Sequence, residues 1–173
     1  TEATLARLAA LVDRLRPRTV VALGDSFHDS AGPNRLSAAN RAALAALQAG
    51  RDWIWIAGNH DRALPRDIGG DHAESLSLGP LTFRHEPTAG AAPGEVAGHL
   101  HPAARVASHR GSLRRPCFVG DGTRLVLPAL GAYAGGLNVL EAAFAPLFAG
   151  AFHAFVLGRS RVYPIHRRQL RAG

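Results

Sequence analysis

Asp25, Asn59, His60, His85, His99 and His101 are the side chains of this chain whose types and placement could share one reaction. Asp25 follows Gly24 at the end of the apolar run Val20-Val21-Ala22-Leu23. Asn59-His60-Asp61 follows Gly58 at the end of Trp53-Ile54-Trp55-Ile56-Ala57. Short apolar runs rich in β-branched and aromatic residues suit strands buried on both faces. In an open α/β sheet, ligands gather beyond the carboxyl ends of the strands, so two neighbouring strands of this kind bring Asp25 and Asn59 to one spot. His85 ends a third strand candidate over 81–84. His99 and His101 lie in Gly98-His99-Leu100-His101, and on an extended segment residues two apart point to the same side. A mixture of carboxylate, amide oxygen and imidazole suits Mn, Fe, Zn or Ni better than Ca or Mg. The absence of a thiolate from the set argues against a structural zinc site.

The elements that must position these groups follow from periodicity. Leu5, Leu8, Leu11, Val12 and Leu15 recur at helical spacing, so 1–16 reads as a helix ended by Pro17. A strand over 18–23, a loop over 28–34 and an Ala-rich helix over 35–48 closed by Gly50 come next, then a strand over 52–57. Beyond residue 73 the segments shorten. Strands over 75–78 and 81–84 flank Gly79-Pro80, with further strand candidates over 96–98 and 103–109. Strands over 117–120 and 123–127 flank the hairpin signal Asp121-Gly122. Residues 137–148 read as a helix or part of one, 152–157 and 161–165 as a closing hairpin around Gly158, and 166–173 as a basic tail that frays. Helix–strand alternation followed by a run of strands suggests two sheets face to face with helices outside. With no linker long enough to divide the chain, 1–173 is expected to form one domain.

The 173 residues are 47% hydrophobic and 19% charged, ordinary proportions for a soluble globular protein. No apolar run approaches the ~20 residues of a membrane span, and the N-terminus carries no signal-peptide pattern. Cys117 is the one cysteine, so no internal disulfide can form; a reducing cytoplasm is the expected compartment. Methionine is absent, which makes Thr1 an improbable start of the gene product. Every one of the 20 basic residues is arginine and the net charge is +7. A GC-rich genome accounts for much of that bias, yet arginine is also the residue suited to bidentate phosphate contact. Arg110, Arg114 and Arg115 form one basic cluster, and Arg167, Arg168 and Arg171 another. Solvated charge is the default reading for both, a phosphate-backbone track the alternative. Trp53 and Trp55 face one side of a strand and read as core. Cys117 reads as a small buried hydrophobe, His72, His109, His153 and His166 as surface or structural residues, and Tyr133 and Asn138 as candidates to border the site.

The ordered set Gly24-Asp25, Gly58-Asn59-His60-Asp61, His85 and Gly98-His99-Leu100-His101 resembles the calcineurin-like metallophosphoesterases. Leu23-Gly24-Asp25-Ser26-Phe27-His28-Asp29 and the segment 128–137 look like the ligase-associated DNA-damage-response endonuclease group, PdeM. The resemblance implies a four-layer α/β/β/α sandwich with two divalent metal ions about 3.5–4 Å apart, Mn first among the candidates and Fe, Zn or Ni next. On that pattern Asp25 bridges the ions, Asn59, His85 and His99 complete one, and His101 serves the other. His60 stands beside the phosphate, stabilising its charge or protonating the leaving oxygen. The implied activity is phosphodiester hydrolysis, with DNA as substrate in bacterial repair and a DNA ligase and helicase as functional neighbours. A nucleotide or cyclic-nucleotide hydrolase and a non-catalytic scaffold are the alternatives. Two departures stand out. The family opens on an Asp-x-His strand that does not precede Asp25 here, so the first strand is expected to be missing before Thr1. The position three after Asp25, an acid in many relatives, is His28; either Asp29 orients His60 from the next position or His28 contacts substrate.

Overall fold

The leucine periodicity at the N-terminus folds as α1 (Glu2–Leu15), which stops before Pro17 because Arg16 turns left-handed at φ 45° and returns its N–H to the Val12 carbonyl. The computed structural model describes residues 1–109, 111–132 and 134–173; Arg110 and Tyr133 lie outside the described residues. After α1 come β1 (Thr19–Ala22), α2 (Ala38–Gln48), β2 (Asp52–Ile56) and β3 (Asp71–Ala73). Ser37 caps α2, its hydroxyl accepting from the Asn40 N–H, so the helix opens three residues later than its composition suggests. Residues 32–35, expected partly as loop and partly as helix, form a 3₁₀ turn instead.

The chain divides into two compact units. The first comprises Thr1–Leu76, Phe83–His85 and Leu130–Tyr133. Its sheet runs β1-β2-β3 with all strands parallel, Val20 opposite Trp53 and Ile54 opposite Asp71. Parallel neighbours need a crossover, which α2 supplies between β1 and β2. Trp53 and Trp55 lie on the same side of β2 with ring centroids 5.4 Å apart. They pack with Val12, Leu44, Leu47 and Ile68 into this unit's core. The Trp55 indole N–H donates to the Gly69 carbonyl at 2.8 Å, satisfying the one polar atom that ring carries inward.

The second unit comprises Ser77–Thr82, Glu86–Ala129 and Ala134–Gly173. The strands after β3 are β4 (Ser75–Leu78), β5 (Leu81–Arg84), β6 (Glu95–Ala97), β7 (Pro102–Ser108), β8 (Gly111–Gly120), β9 (Leu125–Val126), β10 (Leu137–Asn138), β11 (His153–Leu157) and β12 (Val162–His166). They join in the order β10-β7-β8-β9-β6-β5-β4, with β11 on β8 and β12 on β11. β8 changes partners along its length. Residues 111–116 pair antiparallel with β7, while Cys117 to Gly120 pair with β11. Ala104, Cys117, Val119, Val126, Phe144 and Ala154 centre the core of this unit.

Two expectations for this unit need correction. Residues 137–148 are not a helix: β10 pairs parallel with β7, and a 3₁₀ turn (Ala142–Phe144) follows. Asn138 is the cause. Its side-chain oxygen accepts from the Leu140 N–H while its own N–H donates to the Glu141 carboxylate, a local network that competes with helix. The tail over 166–173 does not fray. His166 caps a 3₁₀ turn (Arg167–Gln169), Leu170 is buried and bridges Val106, and the Arg171 N–H donates to the Arg105 carbonyl at 2.9 Å.

Candidate metal centre

Three loops of the first unit converge through backbone and carboxylate. The loop after β1 carries Gly24 and Asp25, the loop after β2 carries Gly58 to Asp61, and His85 follows β5 directly. Asp61, only 2% exposed, holds the first two loops together. Its Oδ1 accepts from the Asp25 N–H at 2.9 Å and the Gly58 N–H at 3.1 Å, and its Oδ2 accepts from the Phe27 N–H at 3.2 Å. Asp25 reciprocates: its Oδ1 accepts from the His60 N–H at 2.9 Å.

Both glycines are required by this close approach. A Cβ on Gly58 would fall 2.1 Å from the Asp25 nitrogen and 2.5 Å from Asp61 Oδ1. Gly24 has φ 79°, and a Cβ there would fall 2.6 Å from His85 Nδ1. Asp25 itself is left-handed at φ 48°, a conformation uncommon for a residue other than glycine and one that clusters at functional sites.

His85 is buried, and both of its ring nitrogens face oxygens. Nδ1 lies 2.6 Å from the Leu23 carbonyl, an arrangement that needs Nδ1–H as donor. Nε2 lies 3.1 Å from Asp25 Oδ2. With Nδ1 carrying the proton, the Nε2 lone pair confronts a carboxylate oxygen, and something positive must meet both: a second ring proton between them or a cation beside them. A buried imidazole oriented by a backbone carbonyl and aimed at a carboxylate is how histidine ligates a divalent metal, the second-shell carbonyl fixing the tautomer. The donor chemistry of Asp25 and His85 therefore fits a metal ion.

The other expected residues fall as follows. Asn59 and His60 are exposed on the loop after β2. His28 is exposed, and the Asp29 carboxylate is engaged in its own loop, accepting from Arg35 at 2.6 Å and from the Ala31 N–H at 2.9 Å. The Arg35 hydrogen bond holds the Asp29 carboxyl below its ordinary pKa. In the second unit, His99 and His101 are half-buried in the connection from β6 to β7. That segment is not extended, which corrects the expectation for it. His99 and His101 have φ 61° and 45°, and the Leu100 N–H folds back on the Gly98 carbonyl at 2.7 Å. Leu100, between them, packs against the unit's apolar core. Asn138 is buried and engaged with Leu140, Glu141 and the Arg171 carbonyl, so it builds a turn.

Asp61 is the residue that motif reading passed over. The signal was present: a carboxylate three residues after a glycine that ends a buried strand is placed to accept from that glycine's N–H.

Similarity to known proteins agrees with this chemistry. The family model described as calcineurin-like phosphoesterase matches residues 1–122. The crystal structure of nuclease MPE from Pseudomonas putida is similar with a TM-score of 0.70 at 30% sequence identity, over 95% of this chain and 78% of that one. No curated protein matches the chain. Strands ending in Gly24-Asp25 and Gly58-Asn59-His60-Asp61, a buried histidine on the aspartate and a family match over most of the length lead to one conclusion: this chain belongs to the calcineurin-like phosphoesterases, metal-dependent hydrolases, with Asp25 and His85 as candidate metal ligands.

Proposed function

We propose that the chain is a metal-dependent phosphodiesterase that cleaves DNA. The observation that carries the reading is the contact of His85 Nε2 with Asp25 Oδ2 at 3.1 Å, a donor pair with a place for a cation. The nuclease identity of the Pseudomonas putida protein supports a polynucleotide as substrate. Asp25, Asn59 and His85 would hold divalent ions together with His99 and His101, an assignment supported by the order of the motifs. Manganese suits this oxygen–imidazole set. Bound there, the ions supply charge neutralisation on the phosphate and a water acidic enough to attack at neutral pH.

The chain's own contributions are positional and protic. Asp61 fixes the Asp25 backbone, and Asp25 fixes the His60 N–H. The His60 ring, exposed at the loop rim, would bind a phosphate oxygen or hand a proton to the leaving oxygen. His28 and Asp29, exposed on the neighbouring loop, are the next candidates for substrate contact and for orienting His60.

The leaving group makes the test. A DNA sugar oxygen needs a proton as it departs, whereas p-nitrophenolate leaves without one. In Mn²⁺, His60→Ala is expected to slow DNA cleavage by roughly 10²–10⁴-fold and bis-p-nitrophenyl phosphate hydrolysis by much less. EDTA is expected to abolish both activities and Mn²⁺ to restore them. Full DNA cleavage in EDTA would overturn the proposal; equal loss on both substrates would overturn proton donation by His60 and leave it the phosphate-oxygen contact.

A further inference from the structure

The net charge of +7 is not shared evenly. The second unit holds ten arginines against four acidic residues, the first ten against nine. Three of the second unit's four acids are engaged internally. Glu95 is buried with Arg124, whose guanidinium donates to the Thr88 and Gly90 carbonyls. Asp121 accepts from Thr123 and Arg124 in its own turn, and Glu141 accepts from the Asn138 N–H.

Six of the unit's other arginines, Arg105, Arg114, Arg115, Arg167, Arg168 and Arg171, lie on the β7–β8 ribbon and the C-terminal segment. In the β7–β8 ribbon Arg105 and Arg114 are direct cross-strand partners, and Arg115 lies opposite Ala104. The C-terminal segment is pinned along β7 by the Arg171 N–H on the Arg105 carbonyl and by the Val106–Leu170 bridge, which puts the second basic cluster beside the first. Arg114, Arg115, Arg167, Arg168 and Arg171 are exposed, and among the described residues none of them pairs with an acid. Arg114 donates to the Gly136 carbonyl, and a Cβ on Gly136 would fall 2.3 Å from the His101 carbonyl oxygen. The basic ribbon thus reaches the His101 loop within one unit.

We propose that the β7–β8 ribbon and the C-terminal segment form a phosphate-backbone surface that holds a DNA duplex at the His101 loop. The surface takes its direction from the nucleic-acid reading above. Guanidinium groups match phosphate bidentately. A two-stranded ribbon has the width to lie in a major groove. An anionic membrane would call for an apolar anchor beside the charges, and on 111–116 only Leu113 is a large exposed apolar side chain.

The test is duplex binding by the full chain in EDTA, by fluorescence anisotropy, across salt concentration. Each lost phosphate contact removes about 0.9 from the slope of log K against log salt. The variant combining Arg115→Gln, Arg167→Gln, Arg168→Gln and Arg171→Gln is expected to lose about 3 to 4 from that slope. Its affinity would then fall roughly 100-fold less than wild type between 50 and 200 mM salt. The control combining Arg14→Gln, Arg16→Gln, Arg18→Gln and Arg66→Gln in the first unit is expected to change the slope by less than about 1. If the first variant fails to melt cooperatively, the pair Arg115→Gln and Arg168→Gln serves, with an expected loss of about 2. An unchanged slope, an equal loss in the first-unit control, or binding to phosphatidylserine vesicles but not to DNA would overturn the surface. Duplex binding with these slopes in a protein that hydrolyses no phosphodiester in Mn²⁺ would support the surface and overturn the proposed activity.

Discussion

Asp61 offers two oxygens to three amides, those of Asp25, Phe27 and Gly58, at a position closed to water. Removing the acceptor strands all three donors, and an unmet buried donor costs about 1–3 kcal/mol. Asp61→Ala is therefore expected to lose about 3 kcal/mol or more in urea unfolding of EDTA-treated protein. A loss under ~1 kcal/mol would mean that water or a shifted loop satisfies these amides. Sequence placed Asp25 and Asn59 at strand ends as ligand-type residues, because glycine after a buried strand marks such a corner, and His85 at the end of the strand candidate over 81–84. It did not expose the role of Asp61. Two of that residue's partners lie more than 30 positions away, and nothing local in Asn59-His60-Asp61 says which loop the carboxylate meets.

At the scale of elements, sequence served best where a single force decides. Apolar runs gave β1 and β2, and the turn residues Gly79-Pro80 and Asp121-Gly122 gave the hairpins of β4–β5 and β8–β9. It failed where backbone pairing acts without an apolar signature. β3 is three residues long and carries exposed Asp71 and His72, so only its ladder with β2 marks it as a strand. It failed again at 137–148, read as a helix or part of one, where Asn138 diverts the chain into a turn that delivers Phe144 to the core, 2% exposed. That delivery predicts the sensitivity of the segment. Phe144→Ala is expected to cost about 3–5 kcal/mol, read from the urea midpoint at constant m-value, as for any large core aromatic. A surface helix would have lost far less. Local chemistry likewise hid the bend at His99 and His101, because neither position is a glycine that would mark a left-handed turn.

At the scale of the whole molecule, each unit has its own apolar core, and Cys117 lies at the centre of the second with no exposure. Burial pushes its thiol up to about 12 from an ordinary value of 9.0. Between those two values the folded chain retains a proton that the unfolded chain releases, so this group's contribution is fully present below 9.0 and declines as pH rises toward 12. At pH 8 the native protein is expected to be inert to DTNB and to titrate as one thiol per chain in denaturant. Rapid reaction of the folded form would mean that the second core opens locally.

That silence has a practical side. A native protein whose single thiol does not react is a blank background for site-directed labelling. A cysteine introduced at Ser112, exposed on the arginine ribbon, would be the sole attachment point for a fluorophore or spin label. The wild-type sequence then needs no cysteine removed from its core before the approach of a ligand to that ribbon can be watched directly.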